Sequence, residues 1–124
     1  MYIAIFDGLR IYYARYPSRR ASAGFHAAMS MSFLFCCSLI GATTIADYLV
    51  SGNLERVTVF YGNKFALLCV GGAIAYAHVL FAKSTGRYNA VDGAAPPHWK
   101  SYLSAYTGLA AALTVAAVWL AVIT

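Results

Sequence analysis

Three long apolar stretches constrain the fold of this chain more than any other feature of its sequence. They cover residues 21–46, 65–82 and 102–123, and the only readily ionised side chains within them are His26 and His78. A bilayer core about 30 Å thick is crossed by about 20 mostly apolar helical residues. Because backbone amides in hydrocarbon must be hydrogen-bonded within the chain, each stretch is predicted to be a transmembrane α-helix.

The composition supports an all-α membrane protein with a single domain over residues 1–124. Hydrophobic residues make up 61% of the chain and charged residues 10%, against about 45–50% and about 25% in soluble domains. A soluble fold of this size would lack the polar surface to cover its core. The four acidic residues are scattered, and no Ser/His/Asp set can be assembled at one depth. The sequence therefore predicts a non-enzymatic protein that requires no metal or cofactor.

The distribution of Lys and Arg predicts the orientation of the spans. Four arginines precede the first span and three cations lie in the second loop, whereas the charges of the first loop balance. Since cytoplasmic loops carry the excess of basic residues, we expect a multi-pass protein of the bacterial inner membrane with a cytoplasmic N-terminus and a periplasmic C-terminus. Attraction to anionic lipid explains the surplus of cations, so no nucleic-acid partner is expected. The predicted lipid-interface residues are Arg15, Arg19, Arg20 and Trp99.

Residues 1–17 are predicted to form an amphipathic helix that lies in the membrane interface. At about 100° per residue, Asp7, Gly8 and Arg15 fall on the face opposite the apolar one. Pro17 ends this helix before the first span. Such a helix anchors the chain, or it senses anionic lipid or contacts a partner. The predicted apolar face consists of Tyr2, Ile5, Phe6, Leu9, Tyr12, Tyr13 and Tyr16.

The two histidines within the spans are the candidate cofactor-binding residues, because an ionisable group inside a span indicates function. Counted from the cytoplasmic ends of their helices, His26 and His78 both lie about 6–8 Å below the interface. Two imidazoles at one depth could ligate a b-type haem, bind a metal or face a quinone headgroup. Alternatively, each hydrogen-bonds a backbone carbonyl or a hydroxyl such as that of Ser30.

Small residues mark the faces through which the spans are predicted to pack. Helices in lipid associate by close van der Waals contact along such faces. Three spans need only part of this surface for one another, so we expect a partner: other integral membrane subunits, or a second copy, within the lipid bilayer. The predicted packing or partner residues are Gly41, Gly71, Ala75, Gly108, Ala112 and Ala116.

Four short motifs carry a resemblance to known proteins. They are Tyr12-Tyr13-Ala14-Arg15-Tyr16-Pro17, Phe25-His26-Ala27, Asn63-Lys64, and Lys83 followed by Gly86-Arg87-Tyr88. With this layout the chain resembles a loose group of small, uncharacterised three-span proteins of the bacterial inner membrane. The resemblance implies three spans and no particular function. The chain departs from the group after Tyr88, where the segment 92–97 replaces a longer charged helix.

Three functions are compatible with these features. The first is an accessory or assembly subunit, without enzymatic activity, of a larger inner-membrane complex. The second is a redox anchor, because the size and span number are similar to the three-span membrane subunits of succinate dehydrogenases. In that case His78 would ligate haem b or contact a quinone. The third is a holin-like lysis protein, since some of these are three-span chains of about this size.

Overall fold

The computed structural model describes residues 1–90 and 93–124, and the described chain is helical without any strand. This confirms the all-α prediction. The segment 92–97, at which the sequence departs from the group that it resembles, begins with Asp92, and Asp92 lies outside the described residues. The helices are α1 (Tyr2–Ala14), α2 (Ala23–Ser51), α3 (Glu55–Gly62), α4 (Lys64–Ser84) and α5 (Trp99–Ile123), and a 3₁₀ turn (Pro17–Ser22) joins the first two.

Three of the helices are long and apolar enough to cross a membrane: α2 with its preceding turn, α4 and α5. They contain the three predicted spans and extend them by a few residues into the polar flanks. Helix α2, for example, continues to Ser51 and ends where Gly52 adopts a left-handed conformation with φ of 69°. Glycine carries no Cβ, so this conformation costs it little, and it is a common helix terminator.

Helix α3 lies in the segment that was predicted to be a loop. It folds back along the last turns of α2, where the backbone N–H of Val57 donates to Asp47 Oδ2 at 3.1 Å. The hydroxyls of Tyr61 and Thr43 lie 2.6 Å apart and join the same two helices. A carboxylate near the start of a helix satisfies otherwise unpaired N–H groups, which explains why so short a helix forms here.

Helix α2 is the centre of the fold. Helix α5 runs parallel to it, with Leu113 against Gly41, and α4 runs antiparallel, with His78 against Phe35. Within the described residues, no Cα atom of α4 lies within 8 Å of one in α5, whereas packed helix axes are about 8–10 Å apart. The three long helices therefore form an open row, not a closed three-helix bundle.

Helix α1 packs against α2 at one end of this row. Ile5, Phe6 and Leu9 join a buried cluster with residues of α2 and with Ala82 of α4, so the predicted apolar face does make the apolar contacts. The opposite face is also covered, because Gly8 packs against the indole of Trp99. Both faces of α1 thus contact protein, and its predicted position in the membrane plane stays a prediction.

The tight contact between Gly8 and Trp99 leads to a stability prediction. A Cβ at Gly8 would overlap the indole ring, so Gly8→Ala is expected to lower the free energy of unfolding by about 1–3 kcal/mol. Gly72→Ala is the matched control, since nothing lies within 4 Å of a Cβ there and alanine favours the helix by about 0.5–1 kcal/mol. Thermal unfolding in one detergent compares the two variants, and equal midpoints would contradict this contact.

Candidate functional site

The two histidines lie at opposite ends of α1. The ring of His26 is 5.3 Å from that of Tyr13, and the ring of His78 is 5.7 Å from that of Tyr2. Tyr2 and Tyr13 are separated by about 16 Å along α1, at about 1.5 Å per residue. The histidine side chains are therefore held by different parts of the fold.

The structure also places the two histidines at different levels along α2, whereas the sequence predicts equal levels. The ring of His78 is 5.9 Å from that of Phe35. Phe35 itself lies about 13 Å beyond His26 along α2. The expectation of equal depth came from counting residues from each helix end, which assumes that the ends are level. Packing sets the stagger instead, and α2 begins well beyond the level at which α4 ends.

Each imidazole is fixed by a hydrogen bond to the backbone carbonyl one turn earlier in its own helix. His26 Nδ1 is 2.9 Å from the Ser22 oxygen, and His78 Nδ1 is 2.8 Å from the Ile74 oxygen. These are the carbonyl bonds that the sequence analysis gave as the alternative to ligand binding, while the Ser30 hydroxyl instead pairs with Tyr13 at 2.8 Å. Since carbonyls only accept, Nδ1 is the donor in both rings, and in a neutral imidazole Nε2 is then an acceptor.

The placement of the histidines does not fit a haem held by both of them. Axial ligation of one iron requires two imidazoles on opposite sides of one macrocycle, at a shared level. His26 and His78 lie about 13 Å apart along α2 and contact different tyrosines. In the described part of the chain, no group of three His, Cys, Asp or Glu side chains could hold a metal ion.

A cluster of charged side chains joins α1 to the loop between α4 and α5. Arg87 donates to the carboxylate of Asp7, and Arg10 donates to the backbone oxygen of Ala90. Arg10 also lies 3.7 Å from the other oxygen of Asp7, and both residues are buried. This cluster has no local signal in the sequence, because its partners are about 80 positions apart.

An open apolar groove lies where the first turn of α1 meets α4. Its volume is about 450 Å³, and Tyr2, His78 and Phe81 are among its lining residues. A smaller cavity of about 80 Å³ adjoins it, with Tyr2 and His78 again in the lining together with Tyr106. The Tyr2 hydroxyl is buried and finds no hydrogen-bond partner among the described residues. Burial raises the pKa of Tyr2 to about 12, so the phenol keeps its proton at neutral pH.

Some of the predicted small residues lie in close contact with a neighbouring helix, and others have no neighbour. Gly41 is buried, and a Cβ there would come within 2.7 Å of Leu113, so α2 and α5 approach each other closely at this position. At Gly71 and Gly108, by contrast, a Cβ would meet nothing within 4 Å. Ala112 is exposed, and Ala75 and Ala116 are half-buried. The buried small residues of α5 are Ala110 and Ala117, and α2 is the helix on which α5 mainly packs.

The predicted lipid-interface residues lie near α1. Arg15, Arg19 and Arg20 are exposed, and the guanidinium of Arg19 lies 5.8 Å from the centre of the Tyr13 ring. Trp99 is half-buried because its indole covers Gly8. Trp99 therefore has a structural role in docking α1, which the sequence analysis did not identify.

Comparison with protein-family models, curated proteins and solved structures found no match. The resemblance to small three-span inner-membrane proteins therefore stays a prediction. Two features of the structure have chemical significance beyond packing: the buried charged cluster around Asp7, and the groove beside His78.

The charged cluster is expected to hold α1 in place. Asp7→Asn removes the negative charge that faces Arg87, and loss of a hydrogen bond between charged groups costs about 2 kcal/mol. We expect faster hydrogen exchange of the α1 amides and a lower unfolding midpoint. Glu55→Gln, at an exposed position outside the cluster, is the control. Identical exchange in the two variants would mean that the charge of Asp7 does not hold the helix.

The stagger of the histidines can be tested by cross-linking. In a background without native cysteines, the pair Phe35→Cys and His78→Cys is expected to react with a short bifunctional thiol reagent. The pair His26→Cys and His78→Cys is not expected to react, because the two residues lie at levels about 13 Å apart along α2. Cross-linking of the second pair would show that the two histidines lie at one level, and a haem ligated by both of them would then fit. The background variant replaces Cys36, Cys37 and Cys69.

Proposed function

We propose that this chain is a three-span membrane protein without enzymatic activity that packs as an accessory or assembly subunit in a larger bacterial inner-membrane complex. One observation carries the proposal: α4 and α5 both pack on α2 but not on each other within the described residues. Each outer helix therefore has a long surface that the chain itself does not cover. In a membrane, such surfaces are covered by lipid or by another helix.

The charge distribution supports insertion with a cytoplasmic N-terminus. The end of the row that carries α1 also carries the loop between α4 and α5, and seven of the nine Lys and Arg residues lie there. The two remaining cations, Arg56 and Lys64, are balanced by Asp47 and Glu55 at the opposite end. Because the positive end of a membrane protein faces the cytoplasm, the C-terminal end of α5 lies in the periplasm in this proposal.

The outer face of α5 is the best candidate for contact with a partner helix. Gly108 lies on it with open space where a Cβ would be, and the neighbouring Ala112 is exposed. Four positions apart, these small residues allow the backbone of another helix to approach closely. Ala110 and Ala117, on the opposite side, are buried within the chain, so the two sides of this helix have different surroundings.

The other functions receive less support from the geometry. A haem ligated by both histidines does not fit their positions, as described above. The holin-like alternative gains no specific support from the described residues. The accessory role is preferred because it explains why small, smooth faces remain uncovered on both outer helices.

Site-specific photocross-linking in the native membrane tests the proposal. A photoreactive residue at Gly108 is expected to give a cross-linked product of one defined mass, and Gly108→Leu is expected to reduce co-purification of that partner in mild detergent by about tenfold or more. A photoreactive residue at the buried Ala110 is the control and is expected to react within the chain. The proposal fails if Gly108 yields only lipid adducts and the chain elutes alone.

A further inference from the structure

Two tyrosine hydroxyls lie side by side on the surface where α1 ends. The hydroxyls of Tyr12 and Tyr16 are 3.1 Å apart, and the two residues are 41% and 46% exposed, so a ligand can reach them. Each phenol carries one proton, so one hydroxyl donates to the other and the second proton stays free to donate outward. The hydrogen bond with Tyr16 raises the pKa of the Tyr12 phenol, which keeps this hydroxyl protonated at neutral pH.

The cation of Arg19 is held beside this pair of hydroxyls. Its guanidinium lies 5.8 Å from the centre of the Tyr13 ring, and Tyr13 packs edge-on against Tyr12 with ring centres 5.6 Å apart. The positive charge of Arg19 opposes the rise in the pKa of Tyr12, as expected of a cation near that hydroxyl. A guanidinium that lies over an aromatic face keeps its N–H edge available for hydrogen bonds.

The positive charge at this surface has no ion-pair partner among the described residues. Arg15, Arg19 and Arg20 are exposed, whereas the ion pairs of the described chain involve only Asp7, which belongs to the buried cluster. An exposed set of cations without a carboxylate favours an anionic ligand. A guanidinium next to hydroxyl donors suits the oxygens of a phosphate, which accept several hydrogen bonds at once.

The edge of the apolar part of the row can be located on α2. Ala82, near the end of α4, and Trp99, at the start of α5, pack in the same cluster as Ala27 of α2. The adjacent cations Lys83 and Lys100 therefore lie near the level of Ala27. With the spans inserted as proposed above, the headgroup layer begins near this level and extends outward for about 5–7 Å.

The guanidinium of Arg19 is directed toward this layer. Because the turn before α2 continues the same helical run, the backbone of Arg19 lies about 14 Å beyond Ala27. Its side chain extends to Tyr13, and the Tyr13 hydroxyl is 2.8 Å from that of Ser30, which lies further inside α2. The side chain of Arg19 therefore points back toward the membrane, where the phosphates of lipids lie.

We propose that Tyr12, Tyr16 and Arg19 form a binding site for the phosphate of an anionic phospholipid. The guanidinium donates to the phosphate oxygens, and the free proton of the tyrosine pair donates to another oxygen of the same group. Arg15 and Arg20 add positive charge, which favours a lipid with net negative charge. The proposal rests on the membrane insertion proposed above but not on the accessory role, which the photocross-linking experiment tests separately, so either can fail without the other.

The test titrates short-chain phosphatidylglycerol into the full chain in a neutral detergent and measures bound lipid by native mass spectrometry. Arg19→Gln removes the guanidinium and is expected to weaken binding about five- to tenfold. Replacement of both Tyr12 and Tyr16 by Phe removes the hydroxyl donors and is expected to weaken binding about fivefold. The matched control is Arg56→Gln, which removes an exposed arginine at the opposite end of the row and is expected to bind as the parent does.

Two further measurements keep the result decisive if a variant fails to fold. In the unmodified chain with ¹³C-labelled tyrosine, phosphatidylglycerol is expected to shift the Cζ resonances of Tyr12 and Tyr16 and not that of Tyr76, an exposed tyrosine of α4. Inorganic phosphate and a decaglutamate peptide are expected to compete weakly. The proposal is overturned if the resonances of Tyr12 and Tyr16 do not move, if Arg19→Gln and Arg56→Gln weaken binding equally, or if either soluble anion competes as well as the lipid.

Discussion

The whole fold depends on close contact between α2 and its neighbours. In the membrane environment proposed above, burial of apolar side chains gives little advantage, so helices associate through tight van der Waals packing. Helix α2 provides this with Gly41, where the backbone approaches Leu113 so closely that no side chain would fit. Since the described parts of α4 and α5 do not pack on each other, both depend on α2 for their positions. An open row is the direct consequence.

The burial of charge at one end of the row is the feature that hydrophobic packing alone does not explain. Asp7 and Arg10 are buried, and burying ions is costly unless each is paired. The pairing with Arg87 and with the Ala90 carbonyl offsets part of this cost, while Asp7 Oδ1 and Arg10 Nε find no hydrogen-bond partner among the described residues. It also requires that α1 and the second loop meet in one specific arrangement. The charged cluster therefore contributes specificity of docking more than stability.

The sequence was sufficient for the three long helices and insufficient for their mutual arrangement. Apolar runs of about 20 residues predict long apolar helices by their length alone. The sequence has no such signal for the stagger of one helix against another, so the prediction that His78 and His26 lie at one level was wrong. The short helix α3 was missed because its support from Asp47 comes from ten positions away. Small residues do not show which side of a helix packs on a neighbour, because alanines occur on all sides of α5. Ala110 and Ala117 are buried, while Ala112 is exposed in the same helix.

The docking of α1 connects these features to the groove. Helix α1 is a rigid rod of 13 residues, and its middle is fixed by contacts of Asp7 with Arg87 of the loop between α4 and α5 and of Gly8 with Trp99 of α5. Once the middle of a rod and its direction are fixed, the position of its end follows, and Tyr2 is placed against His78. The groove is thus made by two segments that are far apart in sequence, and neither carries a recognisable motif for it. A groove of this kind is visible only after the register of α1 on α2 is known.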